Sequence, residues 1–289
     1  MSKRFEQHGQ GEVTLGHRTS VSADVQFIFS KPGRVRIGDY CVLGPGVKFV
    51  CNGGDVTLGD WCSIHDRGLV LAEGPVDIGP HCWFGQNAVL DGTGGLTIEF
   101  GVRAGMNTQI WSHVATGEQI EGCTLYGMDP VHIEPEVWLV GGNAVAPGVR
   151  LGRRSVILSG ANVTRSCEPL SVLAGLPAVR KPGLSFYEPV TLDQKWQMLG
   201  AWLEQLSAEL QLDLRALGED QYLVASEDAA LQGVAFARRA EDAAALRAMH
   251  ADWTVCCVQS KTYNKQRSEL EYRVLKYLAG NKARFFALS

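Results

Sequence analysis

The sequence predicts a mainly β protein, a parallel β-helix of hexapeptide repeats followed by a small α/β domain. Two observations predict the β-helix: aliphatic residues recur at every sixth position, and glycine often follows them. No helix has a period of six, whereas a short strand that buries one residue and then turns does. Stacked coils of this kind bury their apolar residues against one another. The aliphatic series comprises Ile37, Leu43, Phe49, Leu58, Ile64, Val70, Ile78, Phe84, Leu90, Ile98, Ala104, Ile110, Ile133, Leu139, Val145, Leu151, Ile157 and Val163.

Three hexads complete one triangular coil. The groups of the series that define successive coils begin at Ile37, Leu58, Ile78 and Ile98. These starting points lie 20 or 21 residues apart, which is three hexads with two or three further corner residues. Glycine permits the tight backbone of such corners. The series is interrupted after Ile110 and resumes at Ile133, so we predict a loop over about 112–130 that is extruded from the prism.

The predicted β-helix domain covers residues 1–183, and the small α/β domain covers residues 190–289. From Thr191 onward the apolar residues are spaced by three and four, which is typical of an amphipathic helix. That stripe consists of Leu192, Trp196, Leu199, Leu203, Leu206 and Leu210. Beyond it we predict strands over 222–225, 254–258 and 283–288, and helices over 243–249 and 268–278. No chemical motif is evident in this domain.

Charge and composition argue against several functional classes. The net charge of −4 and the isoelectric point of about 6.0 argue against a broad nucleic-acid surface. No stretch reaches the roughly 20 apolar residues of a membrane-spanning helix, and the N-terminus shows no apolar leader. The eight cysteines form no paired C-x2-C pattern, so no metal is expected. We interpret them as reduced thiols in a cytoplasmic protein.

Three segments carry a resemblance to a known family. His113 lies where the array breaks, residues 137–142 read V-W-L-V-G-G, and residues 173–178 read L-A-G-L-P-A. Over roughly residues 10–183 the chain therefore resembles the hexapeptide-repeat acyltransferases, which include the galactoside, maltose and serine acetyltransferases. The resemblance implies a left-handed β-helix, acetyl-coenzyme A as the acyl donor, and a homotrimer with active sites between subunits.

The resemblance also implies the roles of the candidate site residues. His113 would be the general base that removes the proton of the acceptor hydroxyl, a task that suits an imidazole at neutral pH. The acceptor would be bound by Gln86, Asn87 and Trp138. Coenzyme A would be bound by Gly141, Gly142, Ser159, Thr164, Arg165 and Arg180. Apart from the resemblance, Glu118 or Glu121 in the loop could orient the base, as a carboxylate does in catalytic triads. Asp91 is interpreted first as a turn residue.

The resemblance implies a coenzyme A-dependent O-acetyltransferase acting on a sugar, such as a nucleotide sugar or a surface-polysaccharide precursor. N-acetylation of an amino sugar is nearly as compatible. A γ-class carbonic anhydrase shares the β-helix but needs three zinc-binding histidines, and His81, His113 and His132 show no suitable close spacing. A non-enzymatic scaffold or binding module is the third alternative. We expect His65 and His81 to be solvated, and His132 to be a weaker candidate for the same cleft as His113.

Overall fold

The structure, a computed structural model, describes residues 5–226 and 233–288. The chain divides into two compact units between Tyr187 and Glu188. The first unit is a prism of three sheets, A, B and C, which the chain visits in that order in coil after coil. The second is a small α/β unit. The predicted fold class, a left-handed parallel β-helix with a C-terminal α/β domain, is confirmed.

Each sheet of the prism receives a short strand from successive coils. Sheet A comprises Glu6–His8, Gln26–Lys31, Lys48–Asn52, Leu69–Ala72, Val89–Asp91, Gln109–Ile110, Ala144–Val145 and Asn162–Val163. Sheet B comprises Glu12–Leu15, Arg34–Ile37, Val56–Leu58, Val76–Ile78, Leu96–Ile98, Val131–Ile133 and Arg150–Leu151. Sheet C comprises Ser20–Val21, Val42–Leu43, Ser63–Ile64, Trp83–Phe84, Arg103–Ala104, Trp138–Leu139, Val156–Ile157, Val172–Ala174 and Val179–Arg180. The last strand is antiparallel to its neighbour.

The predicted aliphatic series forms the interior of the prism, and every member is buried. Equivalent residues lie beside one another from coil to coil, as Ile37 does with Leu58 and Leu58 with Ile78. Buried cysteines add a second inward column, in which the Cys41 and Cys62 thiols donate to backbone carbonyls at 3.1 Å. Because each coil covers the next, the apolar surface is removed from water only in the stack.

The outer surfaces of the sheets differ in polarity. Sheet B presents the polar side chains Thr14, Arg36, Thr57, Asp77, Thr97, His132 and Arg150. Sheet A presents a half-buried surface that we name the aliphatic face, formed by Ile28, Val50, Leu69, Leu71 and Val89. Contiguous apolar surface of this kind is typical of an interaction site.

The corners that join sheet C to sheet A form one long edge of the prism, which we name edge CA. At six of these corners, all but the first, one residue has a left-handed backbone, with φ between 57° and 71°. In chain order these residues are Gly46, Arg67, Asn87, Asn107, Gly142 and Gly160. From Arg67 onward the N–H of each donates to a carbonyl of the preceding coil. The corners are therefore stacked in register along the prism axis.

The corners that join sheet A to sheet B form a second edge, edge AB, from which the predicted loop emerges. The loop is an antiparallel hairpin of His113–Ala115 with Tyr126–Met128, and a short 3-10 helix, Gln119–Glu121, lies between its strands. The chain re-enters sheet B at Val131.

Over residues 188–226 and 233–288, the second unit has a six-stranded sheet and three helices. Its strands are Asp213–Gly218, Gln221–Ala225, Gly233–Ala237, Thr254–Cys257, Thr262–Tyr263 and Phe286–Ala287. Its helices are α1 (Leu192–Leu210), α2 (Ala240–Met249) and α3 (Glu269–Ala279). The predicted stripe of α1 packs inward, with Trp196 stacked on Tyr222 at 4.7 Å.

Several predicted boundaries in this unit are wrong. The final strand is two residues long rather than six, and α2 begins three residues earlier than predicted. The strands 213–218, 233–237 and 262–263 were not predicted. Across residues 5–226 and 233–288, none of the helices combines the length and apolar character needed to span a bilayer.

Candidate active site

His113 lies at edge AB, where the chain leaves sheet A and opens the hairpin. The imidazole is partly exposed, with 33% of its side-chain surface accessible. Trp111 meets it edge-on, with ring centroids 6.0 Å apart and an interplanar angle of 75°. The imidazole is therefore accessible to a substrate while its neighbours restrict its orientation.

The buried carboxylate of Asp91 holds this imidazole from the preceding coil. Its Oδ2 lies 2.7 Å from Nδ1 of His113 and also accepts the N–H and the hydroxyl of Ser112, at 2.8 and 3.0 Å. Its Oδ1 accepts the hydroxyl and the N–H of Thr93, at 2.6 and 3.1 Å. The carboxylate is fully buried, and these polar groups satisfy both of its oxygens.

The hydrogen bonds keep Asp91 ionised despite its burial. Burial opposes ionisation, but the bonds from Thr93, His113 and Ser112 outweigh it, and the pKa of Asp91 is lowered from its usual value of 3.8. An ionised carboxylate can only accept hydrogen bonds. In the neutral imidazole of His113 the proton therefore lies on Nδ1, and Nε2 keeps a lone pair that can accept a proton.

The carboxylate that contacts His113 is neither of the two loop candidates named from the sequence. Glu118 and Glu121 are exposed in the hairpin, where Glu118 precedes the 3-10 helix and Glu121 is its last residue, whereas Asp91 lies 22 residues before His113. Because parallel coils bring residues about 20 positions apart side by side, as in the pair Leu90 and Ile110, a search one coil upstream of His113 would have found it.

Edge CA carries the predicted coenzyme A residues Gly141, Gly142 and Ser159. The N–H of Gly141 donates to Oδ1 of Asn143 at 2.9 Å. Its carbonyl accepts the N–H of Gly160 at 3.0 Å and the hydroxyl of Ser159 at 3.1 Å. The backbone polar groups of Gly141 are therefore engaged within the chain, so its expected pairing with a ligand amide would require these bonds to change.

Among the described residues of the prism, no other atoms lie close to the outer side of this corner. A Cβ added to Gly142 would meet no atom nearer than 3.9 Å, and one added to Gly160 would meet nothing within 4 Å. Backbone conformation does not require glycine here, because Asn87 and Asn107 have φ of 58° and 60°, close to the 61° of Gly142. What glycine contributes is an open edge against which an extended chain can lie close to the backbone. We name Gly142 and Gly160 the glycine corner.

Asn143, which the sequence analysis did not single out, fixes the glycine corner from inside. Its side chain is buried, accepts the N–H of Gly141, and donates through Nδ2 to the carbonyl of Leu158 at 2.7 Å. One amide thus joins two adjacent coils. The sequence signal was a polar residue at a position that is Ala88 and Ala161 in other coils.

Three polar side chains, Arg67, Asn87 and Asn107, line edge CA in the coils that precede the glycine corner. We name them the polar ladder. Nε of Arg67 donates to Oδ1 of Asn87 at 2.8 Å, and Nδ2 of Asn87 donates to Oδ1 of Asn107 at 3.0 Å. Successive members lie 20 residues apart, one in each coil. The predicted acceptor residue Asn87 is the middle member, and Gln86 is half-buried at the same corner.

Trp138, the third predicted acceptor residue, lies on the outer surface of sheet C. It is 45% exposed and pairs in register with Arg103, which pairs with Trp83, itself 37% exposed. Burial lowers the pKa of Arg103. In the register of sheet C, Arg103 therefore lies between two exposed tryptophans. Aromatic faces of this kind suit a ligand with a flat apolar surface.

The remaining predicted cofactor residues lie elsewhere on the prism. Thr164 and Arg165 are exposed and follow Asn162–Val163 at edge AB, and Arg180 is exposed on the closing strand of sheet C. One chain does not bring Thr164 or Arg165 onto the edge that carries Gly142.

His113 and the glycine corner lie on opposite edges of sheet A. The strand Gln109–Ile110 separates Asn107 at edge CA from His113 at edge AB. Six residues of extended chain span up to about 20 Å. A single chain therefore carries the base and the predicted acceptor residues at the two ends of one face.

The other histidines and the acidic residues suggest no metal centre. In the part of the chain that the structure describes, no group of three His, Cys, Asp or Glu side chains is placed to hold a metal ion. His132 lies on sheet B, with Nε2 2.6 Å from Oε1 of Glu99. His81 is buried and stacks on Trp61 at 6.0 Å. The expectation that His81 is solvated is wrong, because aromatic rings stack along its edge of the prism.

The sequence of a known acetyltransferase supports the predicted family resemblance. The chain is 26% identical over 145 residues to a galactoside O-acetyltransferase of Lactococcus lactis, a match that covers 50% of this chain and 61% of that relative. The predicted resemblance to the hexapeptide-repeat acetyltransferases is thereby confirmed. No family model matches the chain.

Solved structures with a similar fold include acyltransferases of two kinds. The polySia-specific acetyltransferase NeuO is 15% identical, with a TM-score of 0.45 over 70% of this chain and 99% of that one. The N-acyltransferase AntD of Bacillus cereus, in complex with dTDP and coenzyme A, is 14% identical, with a TM-score of 0.40 over 67% of this chain and 90% of that one.

Proposed function

We propose that the protein is a coenzyme A-dependent acetyltransferase that acetylates a hydroxyl group of a sugar by direct transfer, with His113 as the general base. The observation that carries the proposal is the buried Asp91 carboxylate on Nδ1 of a partly exposed imidazole. This arrangement leaves the lone pair of Nε2 directed away from the carboxylate and able to accept a proton from the acceptor. The sequence similarity to a galactoside O-acetyltransferase supports the same chemistry.

The glycine corner fits the pantetheine arm of coenzyme A. Side chains are missing at Gly142 and Gly160, where a Cβ would meet open space, and Asn143 holds the backbone beneath them. The open edge extends over about two coils, or about 10 Å. Acetyl-coenzyme A would supply the acetyl group as a thioester, whose carbonyl carbon is the electrophile.

His113 then performs the proton transfers of the reaction. Nε2 accepts the proton of the acceptor hydroxyl as its oxygen forms a bond to the acetyl carbon. The carbon–sulfur bond breaks, and the imidazolium returns the proton to the departing sulfur. Asp91 stabilises the positive charge that His113 carries between these two transfers. No covalent bond to the chain is needed.

The active site is completed by a neighbouring copy of the chain. His113 and the glycine corner lie at opposite ends of sheet A, whose aliphatic face is suited to association. A cyclic arrangement of identical chains brings unlike surfaces together at every interface. A homotrimer would thereby place the His113 end of one chain against the glycine corner, Asn87 and Trp138 of the next.

The direct test is release of free thiol from acetyl-coenzyme A in the presence of sugars and nucleotide sugars. His113→Ala should lower the turnover number about 10²–10⁴-fold and leave coenzyme A binding intact. His132→Ala is the matched control, because His132 is also paired with a carboxylate but lies on sheet B. Wild-type turnover in the His113 variant would exclude the proposed base.

A further inference from the structure

We infer that the acceptor carries an anionic group, a carboxylate or a phosphate, and that Arg67 of the polar ladder binds it. The inference rests on the proposed function in that the acceptor is taken to be a saccharide. It does not depend on the chemistry of acetyl transfer, so binding alone can test it.

The polar ladder uses its amide oxygens internally and presents N–H donors outward. Oδ1 of Asn87 accepts from Arg67, and Oδ1 of Asn107 accepts from Asn87. The two Nη atoms of Arg67 and Nδ2 of Asn107 are not used by the bonds of the ladder, and both residues are exposed. Within residues 5–226 and 233–288, the Arg67 guanidinium bonds only through Nε. A surface of donors favours a ligand that only accepts, and ionised oxygens are the strongest such acceptors.

The bond to Asn87 also prepares Arg67 for binding. With Nε engaged at 2.8 Å, the edge formed by the two Nη atoms remains available as a fork, the geometry that matches a carboxylate or phosphate. An exposed arginine normally loses side-chain freedom when it binds. Because Asn87 already restrains this one, part of that entropic cost is removed.

The surroundings of Arg67 carry little opposing charge. The outward positions of sheet C in the neighbouring coils are Val42, Ser63, Trp83, Arg103 and Trp138, and none of them is acidic. Asp66 is the acidic neighbour in sequence, and it is half-buried. It is directed to the preceding coil, since a Cβ added to Gly44 would lie 2.9 Å from its Oδ1.

The position of Arg67 agrees with a ligand that extends along edge CA. Arg67 lies three coils before Gly142, a separation of about 14 Å at the usual spacing of neighbouring strands. The rings of Trp83 and Trp138 lie on sheet C beside this span. The body of the acceptor would cover Asn87 and Asn107, with its anionic group at Arg67 and its reacting end toward the glycine corner.

The test compares three hexoses that differ in charge: galactose, galacturonate and galactose 1-phosphate. Binding to the full chain is measured by NMR titration without acyl donor, for the native protein, Arg67→Gln and Arg36→Gln. Arg36 is a matched control because it is exposed on sheet B. Arg67→Gln should weaken binding of the preferred anionic sugar about ten- to a hundred-fold, as loss of a charge-assisted hydrogen bond does. Arg36→Gln should not.

The two anionic sugars distinguish a carboxylate from a phosphate as the natural group. Equal affinity for galactose and both anionic sugars, or equal losses in the two arginine variants, would overturn the inference. In turnover assays, the preference for the anionic sugar over galactose should fall with Arg67→Gln. If no sugar is acetylated but the anionic sugar binds through Arg67, the proposed function fails while the anion site stands.

Discussion

Asp91 and His113 are joined across one coil of the prism, with the buried carboxylate oxygen Oδ2 2.7 Å from Nδ1 of the imidazole. The contact belongs to the β-helix itself, because Asp91 ends a strand of sheet A and His113 follows the next strand of the same sheet. The prism therefore holds the carboxylate, while His113 is the first residue of the hairpin and its imidazole is partly exposed. Positioning of this kind fixes the tautomer before a substrate arrives.

Replacement of Asp91 by asparagine tests this relationship. Asp91→Asn removes the negative charge that stabilises the imidazolium and puts an amide N–H among groups that donate, so we expect the turnover number to fall about 10²-fold or more. The Michaelis constant of the donor should change little. Steady-state kinetics measures both values. Asp77→Asn, exposed on sheet B, is the control, and similar kinetics in the two variants would show that Asp91 does not orient the base.

Ionisation of the Asp91 carboxylate should make the free energy of unfolding depend on pH in the acid range. The pKa of Asp91 is lower in the folded chain than its usual value of 3.8, so its ionised form stabilises the fold above that value. This contribution is lost as the pH falls below 3.8 and through the folded-state pKa. We expect the melting temperature of Asp91→Asn to lie below that of the native chain at pH 7.

Melting curves at several pH values check this linkage. The difference between the two proteins should shrink as the pH falls through the acid range, because protonation removes the same charge from the native chain. Asp77→Asn again serves as the control. A difference that stays constant from pH 7 into the acid range would mean that the ionisation of Asp91 contributes nothing to folding.

The sequence predicted the coils well because burial sets their period. All members of the aliphatic series are buried, including Ile37 before the hairpin and Ile157 after it. Each coil repeats the same packing requirement, so the pattern is local and regular. In the second unit the strand Gly233–Ala237 was missed because all five residues are buried, and a fully buried strand shows no alternation to detect.

The site was harder to predict because its contacts join residues one coil apart. His113 was proposed from the break in the array together with the family resemblance, but its partner Asp91 lies 22 residues earlier. Arg67, Asn87 and Asn107 likewise interact at intervals of 20 residues. Such contacts can be found in the sequence only by comparing each residue with the residues about one coil length before it. Which of those residues makes the contact then depends on burial, which the sequence does not give directly.

The glycine corner offers a separate test of donor binding. Gly142→Asn should keep the backbone, because Asn87 and Asn107 already adopt the same conformation at equivalent corners. It would place a side chain on the open edge, so we expect coenzyme A to bind about ten-fold more weakly or worse. Calorimetric titration measures this binding. Gly46→Asn, at an early corner of the same edge with φ of 69°, is the control. Equal binding in both variants would remove the glycine corner from the donor site.

Shared active sites predict complementation between two inactive variants. A homotrimer of the 31.4 kDa chain should have a mass of about 94 kDa by light scattering. Chains with His113→Ala retain the glycine corner, and chains with Gly142→Asn retain the base. When the two are unfolded, mixed equally and refolded, about a quarter of the interfaces should combine an intact His113 with an intact Gly142. Turnover at low donor concentration should then recover to about a quarter of the native value. Refolded alone, the His113→Ala chain should stay nearly inactive, and the Gly142→Asn chain should show at most about a tenth of native turnover. An active monomer would exclude the shared site, and mixed trimers without recovery would show that each site is built from one chain.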